Sequence, residues 1–187
     1  MRTKVVLLVS VVAAFVCMAQ AQAPKIDDEF VHQTFGKDFA LVSEVGGMVG
    51  DMDGDGVEDI VIAARCKNPL LDQAEHNYQV IDPYYTFFGY GDPKVTMTFV
   101  EDTPARRGLV ILIIHGAGKD AWHSPTPKAK YVVIHLPYRA LSVRKMQMKK
   151  KVFQAIYAEE GNDFNETSAL FFDGKNYKYV PMGSSPE

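Results

Sequence analysis

Residues 50–63 read Gly-Asp-Met-Asp-Gly-Asp-Gly-Val-Glu-Asp-Ile-Val-Ile-Ala. Asp51, Asp53, Asp55, Glu58 and Asp59 crowd five carboxylates into nine residues, and an apolar run follows without a break. No other stretch limits the fold as much. Two unit charges about 4 Å apart repel by roughly 4 kcal/mol at an effective dielectric near 20. Folding these groups together therefore calls for a compensating cation. The spacing D-x-D-x-D-G-x-x-D provides for one. Carboxylates at loop positions 1, 3 and 5 can converge on a single ion, and glycine at position 6, Gly56, permits the sharp turn. The carbonyl of Val57 at position 7 can point inward, and Asp59 at position 9 can ligate directly or through water. Ca²⁺ takes about six to eight hard oxygen ligands in flexible geometry, which suits this set better than Mg²⁺ does. The expected ligands are Asp51, Asp53, Asp55, Val57 and Asp59. A merely solvated acidic turn would not account for the spacing, the glycine or the apolar strand that follows. A structural site is expected, since no adjacent residue supplies an evident base or nucleophile.

The loop is not an EF-hand. Its twelfth position is Ile62, where an EF-hand carries a bidentate Glu, and a strand follows rather than a helix. Gly50 to Ile62 instead resembles the loop and following strand of the FG-GAP/VCBS repeats of integrin-type β-propellers and many secreted bacterial proteins. The resemblance covers residues 39–65. It implies Ca²⁺ at Asp51, Asp53, Asp55 and Asp59, with the Val57 carbonyl. A propeller needs about four to eight blades of four strands. With a single such loop, this chain is too short for a complete one.

Beyond the loop the sequence is rich in short β-type runs separated by turn residues. They are Ala40–Val45, Asp59–Ala64, Tyr84–Phe88, Lys94–Val100, Leu109–Ile114, Lys130–Leu136, Ser168–Phe172 and Tyr177–Val180. Val95, Met97 and Phe99 alternate with threonines, the pattern of a half-buried strand. Ile60–Ala64, Leu109–Ile114 and Tyr131–Ile134 are continuous apolar runs too short for ordinary helices, so they read as strands buried on both faces. Asp173-Gly174 suits the tight turn of a hairpin between the last two runs. Ser142–Glu160 is ambiguous. Val152, Phe153, Ile156 and Tyr157 share a helical face, whereas Met146 and Met148 alternate as in a strand. Strands are favoured by the neighbouring segments, and a single helix near 143–158 is the alternative. The predicted fold is mainly β, with antiparallel sheets arranged as blades or as a sandwich or meander. One domain, residues 39–187, carries the loop 51–59 and follows a polar leader, residues 22–38.

Residues 1–21 have the pattern of an export signal. Arg2 and Lys4 precede an apolar core from Val5 to Val16, short of the roughly 18 residues that span a bilayer. Ala19-Gln20-Ala21 offers a cleavage site. A lipid anchor at Cys17 fits less well, because Val16 before it is not small. Cleavage leaves 166 of the 187 residues and moves the formal net charge from -3 to -5. That balance argues against a nucleic-acid partner. One cysteine, Cys66, then remains, so stability must come from a packed core rather than a disulfide. Cys66 reads as a buried small hydrophobe. Nothing after Ala23 is long and apolar enough to span a membrane.

Leu109 to His115, followed by Gly116-Ala117-Gly118, resembles the strand and HG-x-G oxyanion loop of α/β-hydrolases. No G-x-S-x-G nucleophile elbow occurs, and 72 residues after His115 leave little room for the rest of that fold. The simpler reading is a buried strand ending in a glycine turn. The five histidines show no metal-site spacing. The aromatic stretch Tyr84–Tyr90 reads as core packing, with an exposed face for a glycan or protein partner as the alternative. Asn165-Glu166-Thr167 fits a glycosylation sequon, and Lys149–Lys151 a solvated basic turn. The expected function is an exported calcium-binding β-domain, a binding or surface module whose partner is not specified. A small secreted hydrolase built on the His115–Gly118 turn, with His115 or His123 near its site, is the second reading.

Overall fold

The structure, a computed structural model, describes residues 26–42, 46–89, 107–160 and 168–182. Helix α1 (Asp28–Phe35) comes first, followed by β1 (Phe39–Leu41), β2 (Gly47–Gly50), β3 (Asp59–Cys66) and β4 (Gln79–Ile81). A short helix α2 (Pro83–Phe87) precedes β5 (Leu109–His115), and a 3-10 turn at Gly118–His123 leads to β6 (Ala129–Val133). The chain ends in β7 (Ala140–Met148), β8 (Lys151–Glu159), β9 (Ser168–Phe172) and β10 (Tyr177–Pro181). Six strands form one sheet in the order β1-β3-β5-β6-β4, with β2 also paired to β3. β4 and β6 run parallel, and the other pairs are antiparallel. The remaining four strands form an antiparallel meander, β7-β8-β9-β10. The fold is mainly β, as the sequence predicts.

Alternation along β3 and β5 explains why both strands are apolar throughout. Ile60, Ile62, Ala64, Val110, Leu112 and Ile114 face one way, where they pack with Val31 and Phe35 of α1 and with Phe39, Tyr78 and Trp122. Val61, Ala63, Ile111 and Ile113 face the other way, against Ile156, Ala158, Leu170, Tyr177 and Tyr179 of the meander. The six-stranded sheet is thus the middle layer, and a strand in a middle layer has no solvent side to make polar. Cys66 is buried at the end of β3, and burial pushes its thiol up to about 12. It behaves as the small hydrophobe expected of it.

Several expectations are corrected. The alternative helix near 143–158 is absent, and the segment is the β7–β8 hairpin, closed at Met148↔Lys151 with Lys149 in the left-handed region (φ 54°). The shared helical face dissolves in the strand. Ile156 points to the middle sheet and Tyr157 to the outer face, where it packs with Met146, Ala155, Ala169 and Phe171. Tyr84–Phe88 is not a strand. Asp82 caps α2 by accepting the Tyr85 amide at 2.8 Å, and Pro83 occupies the first turn, where its missing N–H costs nothing. Nor is the aromatic stretch core: Phe87 and Phe88 are each 51% exposed, and Tyr84 packs at the edge of the inter-sheet cluster. Of the run expected at 40–45, Ala40 and Leu41 belong to β1, and residues 43–45 lie outside the described residues. β2 then takes up the same edge of β3. The stretch 22–38 carries α1, capped by the Asp27 side chain on the Phe30 amide, with Val31 and Phe35 both 0% exposed. The signal segment, the run 94–100 and the sequon 165–167 lie outside the described residues. Among the described residues no helix is long and apolar enough to cross a membrane.

The burial of α1 makes a direct test. Phe35→Ala should cost about 3–5 kcal/mol in urea unfolding, the price of a large aromatic removed from a packed core. A loss below about 0.5 kcal/mol, the level of a solvated surface site, would place this segment outside the folding unit.

Candidate metal centre

The acidic stretch is the turn of the β2–β3 hairpin. Its last strand pair is Gly50↔Asp59, so positions 51–58 form the loop. Asp51 organises it. One of its carboxylate oxygens accepts the amides of Gly54 and Asp55 at 2.8 and 3.0 Å, and the other accepts the Gly56 amide at 2.9 Å. Asp53 accepts the Asp55 amide at 3.2 Å, and Asp55 accepts the Val57 amide at 2.8 Å. Such contacts between a short side chain and the backbone two to five residues on stabilise a turn locally. Gly56 has φ 84°, in the left-handed region that glycine enters without strain.

Asp59 ties the loop to the sheet. It is 1% exposed, and its two oxygens accept the amides of Met52 and Gly116, each at 2.7 Å. One amide belongs to the loop and the other to the end of β5. Burial pushes the Asp59 carboxyl up to about 6, against the pull of these donors. The Gly116 amide, which the hydrolase reading would need as an oxyanion donor, is thus bound to Asp59. Gly116 must also lack a side chain, because a Cβ there would lie 2.3 Å from the Glu58 carbonyl oxygen and 2.8 Å from the Trp122 nitrogen. Glu58, the fifth carboxylate, accepts the Trp122 indole N–H at 3.1 Å.

Asp51, Asp53 and Asp59 converge. Each offers a carboxylate oxygen, and these atoms lie within 4.8 Å of one another. All three donors are hard oxygens, the chemistry that suits Ca²⁺. Asp55 is placed differently. One of its oxygens lies 2.8 Å from the ammonium of Lys128, which also lies 2.5 Å from Asp53. The Lys128 contact is the main reason the Asp55 carboxyl falls below its usual range, and the hydrogen bonds to Asp53 and then Asp55 raise the Lys128 ammonium. Val57 contributes its amide to Asp55.

Sequence reasoning missed the groups that surround the loop. Lys128 was one. His115, which the sequence offers only for the hydrolase turn, was another: its Nε2 lies 2.7 Å from the Tyr177 hydroxyl, and its Nδ1 lies 3.5 Å from Asp53. Burial lowers the imidazole's affinity for a proton, and burial also holds Tyr177 as a neutral phenol. With a carboxylate opposite Nδ1, the consistent tautomer carries its proton there and accepts the Tyr177 O–H at Nε2. Tyr131 and Phe172 pack on the imidazole at ring distances of 5.1 Å. His115 and Tyr177 are 62 residues apart, and no local pattern in the sequence joins them. His123, the other histidine of the hydrolase reading, stacks on Trp122 at 3.6 Å. On its outer side the loop borders a groove of about 360 Å³, where Asp51 and Asp53 face Lys145, Phe153, Phe172 and Asp173. No family model matches the chain, and neither does any curated protein or solved structure.

Two glycines of the β5 turn separate close packing from backbone conformation. Gly116→Ala should lower stability by about 3 kcal/mol, because the atoms a methyl would strike are backbone. Gly118 has φ 61° and open space around it, so Gly118→Ala should cost about 1 kcal/mol, the strain of a left-handed alanine alone. Equal losses in chemical denaturation would contradict the close approach of Gly116 to the loop.

Proposed function

We propose that this protein is an exported β-domain that binds Ca²⁺ at the β2–β3 loop, and that it works as a binding or surface module. The observation that carries the reading is the convergence of Asp51, Asp53 and Asp59 within 4.8 Å. The spacing that predicts a ligand set from sequence brings these three carboxylates to one point. They would hold the ion, and Asp55 and the Val57 carbonyl are the further ligands that the resemblance to FG-GAP/VCBS loops implies. Bound there, Ca²⁺ would add positive charge to a group of carboxylates that the single Lys128 ammonium meets only at Asp53 and Asp55. The role is structural: Asp59 already links the loop to β5, and the ion would join Asp51 and Asp53 to that link.

Export follows from the signal pattern of residues 1–21, and the partner is a protein or a glycan. The hydrolase reading gains no support from the turn, where Asp59 holds the Gly116 amide.

Thermal unfolding in chelator and across added Ca²⁺ tests the reading. A ligand that binds only the folded state stabilises it by RT ln(1 + [L]/Kd), about 2.7 kcal/mol at one hundred times Kd. The Tm should rise with Ca²⁺, and Asp51→Ala or Asp53→Ala should abolish the rise. A folded wild type whose Tm does not move up to millimolar Ca²⁺ would reduce the loop to an acidic turn.

A further inference from the structure

We propose that Lys128 is a tethered cation that competes with the metal ion for Asp53 and Asp55, so that the loop exchanges an internal ammonium for Ca²⁺. The inference rests on the reading of the loop as a metal site and concerns how that site is regulated. Lys128 precedes β6, and its amide donates to the His115 carbonyl at 3.0 Å, which anchors its backbone at the end of β5. From there its ammonium reaches the carboxylates at loop positions 3 and 5, at 2.5 and 2.8 Å. Asp53 belongs to both sets: it is one of the three converging groups and one of the two Lys128 partners.

The two cations exclude each other in part. A divalent ion would sit about 2.3–2.6 Å from its oxygen ligands. An ammonium held on the same carboxylate brings like charge close to it. Asp55 cannot turn toward the cluster while Lys128 holds one of its oxygens and the Val57 amide holds the other. Ligation by position 5 therefore requires Lys128 to leave. The Lys128 side chain is 50% exposed on a flexible stem, so its ammonium has solvent to move into. Asp53, at 3% exposure, has no such freedom and stays where either cation finds it. Without metal the ammonium offsets the repulsion and keeps the loop folded. With metal it swings into solvent and Asp55 closes in. The cost of releasing Lys128 lowers the affinity of the loop for Ca²⁺.

The test compares Ca²⁺ isotherms of the full-length wild type, Lys128→Met and Lys128→Arg, measured in competition with a fluorescent chelator. K128M should bind roughly ten-fold more tightly, equivalent to about 1.4 kcal/mol. K128R, which keeps the charge, should stay near the wild-type affinity. The Ca²⁺-induced rise in Tm should also be larger in K128M, chiefly because its Tm in chelator falls. Should K128M fail to fold in chelator, Lys128→Gln takes its place in the same comparison. Equal affinity in wild type and K128M would overturn the competition while leaving the site intact. So would K128R tightening as much as K128M, since charge would then not be the cause. Absence of binding in all three proteins would remove the site itself, and the competition with it.

Discussion

The carboxylate of Asp59 accepts one amide from the acidic loop and one from the end of β5, and the geometry of the site depends on that pair of bonds. Without it the loop would be an exposed turn at the tip of a hairpin. With it, position 9 is fixed beneath positions 1 and 3, and the loop backbone lies against Gly116. The closeness is steric as well as polar, since only a residue without a side chain fits beneath Glu58. A buried carboxylate satisfied by two backbone donors is tolerable where an unsatisfied one is not.

From this point the charges of the loop are distributed rather than merely tolerated. Glu58 goes to the Trp122 indole, Asp55 to Lys128, and Asp53 lies between Lys128 and the His115 imidazole. The supporting groups come from β5, the 3-10 turn, the segment before β6, and β10. Tyr177 carries the network across to the meander through His115. The loop is therefore seated against both sheets, although it belongs in sequence to one hairpin.

Much of this was legible in the sequence where the cause is local. Continuous apolar runs at 60–64 and 109–114 mark strands of a middle layer, because both faces must be apolar. Asp-Gly at 173–174 marks the last turn, and the D-x-D-x-D-G-x-x-D spacing marks Asp51, Asp53 and Asp59, which converge, together with Asp55, which pairs with Lys128 instead. Local pattern failed where two periodicities compete, as at 152–157, whose helical face is divided between two sides of a strand. It failed at α2, where the cap of Asp82 and the fixed φ of Pro83 outweigh aromatic β preference. It also failed at α1, whose two buried apolar residues sit among charges that hide them. The place of Lys128, His115 and Tyr177 beside the loop is not legible in the sequence. Their roles arise from strand register between distant segments, which a single sequence does not display.

The topology separates contacts by their reach along the chain. The meander is built from neighbours: β7 and β8 close at Met148↔Lys151, and β9 and β10 at Phe172↔Tyr177. The middle sheet joins β3 to β5, with Ile60 opposite Ile114, and the Asp59–Gly116 bond spans 57 residues. Closing long loops costs entropy before the contacts that reward it can form. The hairpins of the meander close short loops, whereas the β3–β5 pairing of the middle sheet closes a long one. Three carboxylates that lie close together in sequence thus owe their seat against β5 to a contact with a residue 57 positions away.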